Sequence, residues 1–151
     1  MKRVALVLAL GMLLAGCFGP DRNEISWKIN GRLDNIQAAV EAGDWSAFEA
    51  QLGSATTGPW EHVWDVVYED GKPERYAFSS PTEVSAYVLG TLKAVSMKFL
   101  QRKTEVFETE SVIFGRMVME DVDGNLRDAS FYASFLRNDW KLVFLRLRFN
   151  E

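Results

Sequence analysis

Ile25, Ile29, Leu33, Ile36 and Val40 recur three and four residues apart, while Lys28, Arg32 and Asp34 fall on other faces, and this spacing predicts an amphipathic helix. Gly43 ends it and Asp44 can cap the next by accepting from the first free N–H groups, giving a second helix over 45–52 that buries Trp45, Phe48 and Leu52. Residues 54–59 read as loop. From 62 to 69 the pattern changes to strict alternation, Val63 and Val67 opposite Trp64, Val66 and Tyr68, which predicts a strand. Asp70-Gly71 supplies a tight turn and 74–78 the returning strand. Ser80-Pro81-Thr82-Glu83 then opens a third helix, with a serine cap, proline in the first turn and a glutamate reaching back. Val84, Val88, Leu92, Val95 and Phe99 continue at helical spacing, so this helix is expected to run to about Arg102.

The remainder alternates again. Strands are expected over 104–109, 111–120, 126–136 and 140–149, with Asp123-Gly124 and Asn138-Asp139 turning the chain between them. The last strand is apolar on both sides, with Val143, Leu145 and Leu147 on one and Trp140, Leu142 and Phe144 on the other. A sheet covered by helices on one face is normally polar on its second. The excess predicts a partner on that face, either another copy of the chain or an envelope protein. The class is α+β, helices first and an antiparallel meander last.

The first residues decide location. Lys2 and Arg3 precede a nearly pure apolar run, residues 4–15, too short for the roughly 20 residues of a bilayer-spanning helix. Leu14-Ala15-Gly16-Cys17 resembles the lipobox of bacterial lipoproteins. That resemblance implies cleavage before Cys17, lipid on its thiol and acylation (palmitate) of the new amine, and the chain has no other cysteine. The expected layout is 1–16 signal peptide, 17–24 lipidated cysteine and short tether, and 25–151 folded domain. Phe18, where some lipoproteins carry an aspartate, implies the outer membrane facing the periplasm in a Gram-negative cell. Losing Lys2 and Arg3 takes the formal charge from −4 to −6, and an acidic domain without a lysine-arginine cluster is a poor nucleic-acid binder.

The element order resembles the NTF2-like (cystatin-like α+β) superfamily. Residues 38–45 (AAVEAGDW) are similar to its helix–GD–helix junction, and Asp123-Gly124 with Asn138-Asp139-Trp140-Lys141-Leu142 to its final hairpins. The resemblance implies a cone in which two or three N-terminal helices pack on a curved antiparallel sheet. It also implies an apolar cavity for a small ligand, lined here by Trp27, Trp45, Trp64, Tyr87, Phe131 and Phe135, and dimerisation through the outer sheet. The oxyanion positions of its ketosteroid isomerase branch match Ile36, which has no hydroxyl, and the neighbourhood of Tyr132, so that mechanism is not implied. Dehydratases of this fold use a His/Asp pair, for which His62 with Asp65 or Asp128 is the candidate.

On its own chemistry His62, the only histidine, is a base only if a carboxylate poises it, and no nucleophile lies near it in sequence. Asp121, Asp123 and Asn125 have a calcium-loop look, but the twelfth position is Tyr132 where a bidentate glutamate belongs. No metal or cofactor is expected. Arg146 and Arg148 share one face of the last strand with Arg116 as a neighbour, a pattern that fits an anionic contact or a solvated face. The leading expectation is a non-enzymatic ligand-binding or protein-interaction domain; the alternatives are a small enzyme acting on an apolar substrate and a structural accessory subunit.

Overall fold

A computed structural model describes residues 21–53, 62–67, 72–137 and 139–149. Helix α1, Arg22–Ala42, starts where the Asp21 carboxylate accepts from Asn23 N and ends on Gly43 in the left-handed region (φ 65°). The helix thus begins inside the segment expected as tether. Its buried stripe is Ile25, Ile29, Leu33, Ile36, Ala39 and Val40, as the spacing requires. Asp44 caps the short helix α2, Trp45–Glu49, through Ala47 N. Strands β1 (His62–Val67) and β2 (Pro73–Phe78) form the first hairpin; its Asp70-Gly71 turn lies outside the described residues.

Helix α3, Pro81–Tyr87, starts on the predicted Ser80 cap and widens into one π turn, Val88–Leu92. It stops there. Lys93 takes a left-handed conformation (φ 52°) and Ala94 opens a strand, so the helix expected to reach Arg102 is corrected: 94–102 belong to β3, Ala94–Val106. Val95, counted in the helical stripe, is the extra residue of a bulge between Ala94 and Ser96 and is 40 % exposed, while Phe99 is buried from the strand, so the Leu92/Val95/Phe99 spacing imitates a helix. Strands β4 (Glu110–Asp121), β5 (Leu126–Leu136) and β6 (Leu142–Phe149) complete the meander.

The six strands make one sheet in the order β2-β1-β6-β5-β4-β3. Every neighbouring pair is antiparallel except β1–β6, which is parallel and joins the early hairpin to the last strand. Further bulges lie between Leu100 and Lys103 in β3 and at the Ser134/Phe135 step opposite β6. The second corrects the facing of the last strand: Phe135 pairs with Leu142, so Leu142 is buried with Leu145 and Leu147 rather than lying opposite them. At the first bulge the Leu100 and Gln101 carbonyls press onto β4 at Gly115, where a Cβ would stand 2.6 and 2.8 Å from those oxygens. Arg102 fastens this bulge to α1 through Asn30 O, Gln37 Oε1 and Asp34 Oδ1. The helices cover one face of the sheet, and the core lies between.

Candidate functional site

Register sorts the side chains by face. Trp64 and Val66 of β1, Phe131, Ala133 and Phe135 of β5, and Leu145 and Leu147 of β6 point to the helices and are 0–3 % exposed. These side chains belong to the one hydrophobic core cluster that the described residues form. Trp64 meets Phe78 and Tyr87 edge-on, and Phe99 meets Phe131 in the same way at 4.9 Å. Four of the six expected cavity residues, Trp64, Tyr87, Phe131 and Phe135, therefore lie in the packed interior. Trp45 is half-buried at its edge against Phe48. Trp27 faces solvent, 79 % exposed, and lines no interior.

The opposite, outer face carries the chemistry. Asp65 points there, between its register partners Arg75 on β2 and Arg146 on β6. Arg75 donates from Nε to Oδ1 at 2.8 Å and from Nη2 to Oδ2 at 3.3 Å; Arg146 donates from Nη2 and Nε to Oδ2 at 2.8 and 3.3 Å. The hydrogen bond from Arg75 holds the carboxyl below its ordinary value, and the hydrogen bond from Arg146 adds to this against the opposing effect of burial. The Asp65 carboxylate thus ties β1 to both β2 and β6 on the outer face of the sheet. The His62 side chain lies outside the described residues. Asp128, its other potential partner, pairs with Arg116. Ile36 is buried core, and Tyr132 points outward.

Around this triad the outer face is aromatic at its centre. The Arg146 guanidinium sits 5.7 Å above the Phe144 ring, and Phe144 meets Tyr132 edge-on at 6.1 Å. Tyr132, 39 % exposed, pairs across β4 with half-buried Phe114. Burial, with Glu110 and Glu105 beyond, pushes the Tyr132 hydroxyl up. Ser134 donates to Glu110 at 3.1 Å, and Glu105 pairs with Val112. Arg75, Arg146 and Arg148 lie towards one side of the face, the first two around Asp65, and Glu105 and Glu110 towards the other, where Lys103 stands opposite Phe114; Tyr132, Phe144 and Phe114 lie between. Period-two alternation could have found Tyr132 and Phe144, since both fall on outward positions. The Asp65–Arg146 pair, 81 residues apart, has no local signal.

The supposed calcium loop is a capped turn. Asp121 accepts from Asp123 N and Asn125 N, each at 3.0 Å, while Gly124 takes φ 79°. No helix among the described residues is long and apolar enough to cross a membrane.

No protein-family model and no curated protein matches the sequence. Solved structures do. A Nostoc punctiforme protein of unknown function with a cystatin-like fold aligns with TM-score 0.60 and 10 % identity, over 83 % of this chain and 90 % of that one. A candidate Ca/calmodulin-dependent kinase II association domain from Exiguobacterium sibiricum gives 0.61 and 13 %, over 89 % and 98 %. A candidate dehydratase of the NTF2-like family from Streptomyces avermitilis gives 0.56 and 16 %, over 85 % and 99 %. The fold is NTF2-like, α+β with helices on a curved antiparallel sheet, and at such identities the likeness speaks for fold alone.

Proposed function

We propose that this chain is a lipid-anchored protein of the bacterial envelope whose folded part is a non-enzymatic interaction module, docking through the outer face of its sheet and, in the first place, onto a second copy of itself. The observation that carries this reading is the Phe114–Tyr132–Phe144 centre flanked by opposite charges. A two-fold axis through that centre sets Arg148 and the Asp65-bound arginines of one copy on the side of Glu105 and Glu110 of the other, so a single surface serves both partners. The structural neighbour described as an association domain supports the same use of the fold. The packed inner face and the fully engaged Asp65 favour interaction over turnover of a small substrate.

The anchor reading is supported by Lys2-Arg3, the apolar run and Leu14-Ala15-Gly16-Cys17, and with it the module would sit against a membrane, the outer one in a Gram-negative cell. Sedimentation velocity on the detergent-solubilised full chain tests the interface. Tyr132→Glu introduces a charge at the centre and is expected to weaken self-association roughly tenfold or more, as losses at interface centres do. A wild-type chain that sediments as a monomer at tens of micromolar would overturn self-docking.

A further inference from the structure

Among the exposed apolar side chains of the described surface, which also include Leu89, Val95 and Leu100, two groups lie at opposite ends of the sheet, and the tether decides between them as the lipid-facing one. At the first, Trp27 is 79 % and Phe107 50 % exposed; at the second, Val122 and Leu126 of the β4–β5 turn are 58 % and 70 % exposed. Helix α1 runs antiparallel to β3: Asn30 donates to Thr104 Oγ1 at 3.0 Å, the Gln37 side chain accepts from Phe99 N at 2.7 Å, and Ser96 donates to Glu41 at 3.4 Å. The opening turns of α1 therefore lie beyond Thr104, beside the β3–β4 turn that holds Phe107 and far from the β4–β5 turn. Side chains of a helix lean towards its N-terminus, which inclines Trp27 to that same end.

Because α1 already begins at Arg22 under its Asp21 cap, three residues separate Cys17 from Asp21. Four Cα steps reach at most about 14 Å. The helix itself, at 21 residues, is about 31 Å long. Lipid on Cys17 cannot swing the far pole onto the bilayer, whereas it brings the near one down to it. We infer that the Trp27/Phe107 pole rests in the lipid headgroup region, so that the molecule stands with α1 rising from the membrane and the Val122/Leu126 pole away from it. Amphipathic tryptophan is well suited to that layer, which takes its ring and leaves its N–H wet. This inference rests on the anchor reading above.

The test uses the full lipidated chain in vesicles of phosphatidylcholine and phosphatidylethanolamine. Phe107→Cys and Leu126→Cys each accept a polarity-sensitive fluorophore, since acylation occupies Cys17. On reconstitution the label at 107 is expected to shift to the blue and to be quenched by lipids carrying a nitroxide just below the headgroup, while the label at 126 does neither. Trp27→Phe should also remove the nitroxide-quenched part of the tryptophan emission. A response at 126 with none at 107, or at neither position, overturns the orientation. Mass spectrometry of the same preparation separates the two readings. A chain without lipid on Cys17 removes the anchor and the orientation with it; a lipidated chain silent at 107 removes the orientation alone.

Discussion

Asp65 sits at 6 % exposure, yet both of its arginine partners keep more than half their side chains in water, 67 % for Arg75 and 54 % for Arg146. Solvent screening reduces what each pair contributes, so removing the charge with Asp65→Asn is expected to cost about 1–2 kcal/mol rather than the larger loss of a fully buried pair. Urea unfolding at neutral pH measures it. The sign with pH follows from the direction of the shift. The folded carboxyl titrates below its ordinary value of 3.8, so its contribution is complete above that value and is lost as pH falls through it towards the lower folded one. The gap between wild type and variant should therefore stay constant from pH 6 down to about 4 and narrow as the pH falls below 3.8, and a gap that does not narrow there would show that Asp65 acts otherwise. In sequence this residue reads as a potential base beside His62. Arg75 could be found from the hairpin, but Arg146 is brought in by pairing between distant strands, and it is the two arginines together that change the role of the carboxylate.

At the scale of elements, caps were legible and bulges were not. Asp44 and the Ser80-Pro81-Glu83 start announce themselves because the groups that satisfy a helix end are within three residues of it. The end of α3 is hidden, because the apolar bulge residue Val95 falls by chance at helical spacing between Leu92 and Phe99 though it is exposed, and because Lys93 adopts the left-handed turn in place of a telltale glycine. The bulge at Leu100/Lys103 is visible only through its partner. Gln101 takes φ 50° there, and the backbone comes so near β4 that Gly115 has no room for a methyl group. Both obstructing atoms are carbonyl oxygens of the backbone, which cannot rotate aside as a side-chain tip would. Gly115→Ala is expected to destabilise by about 1–3 kcal/mol, read as a lower melting temperature, even though alanine is otherwise the smallest change available. A variant as stable as wild type would mean that the bulge can relax.

For the molecule as a whole, composition and element order carried the fold class, since helices followed by a meander leave few ways to bury the apolar stripes. The use of each face needed the structure. Apolar residues on two sides of β6 pointed to a second contact, but part of that excess, Leu142, belongs to the interior once the bulge is counted. What remains outside is the Tyr132–Phe144 centre, the feature on which self-docking depends. The parallel β1–β6 pair has a temporal consequence as well. The first hairpin can reach the rest of the sheet only through residues 142–149, the sixth strand in chain order. Until that strand arrives, Trp64 and Val66 have no neighbour on one side, and completion of the core waits on it. Ending the chain before Leu142 should accordingly leave a product without cooperative thermal unfolding, degraded by proteases along its whole length rather than only in the last hairpin.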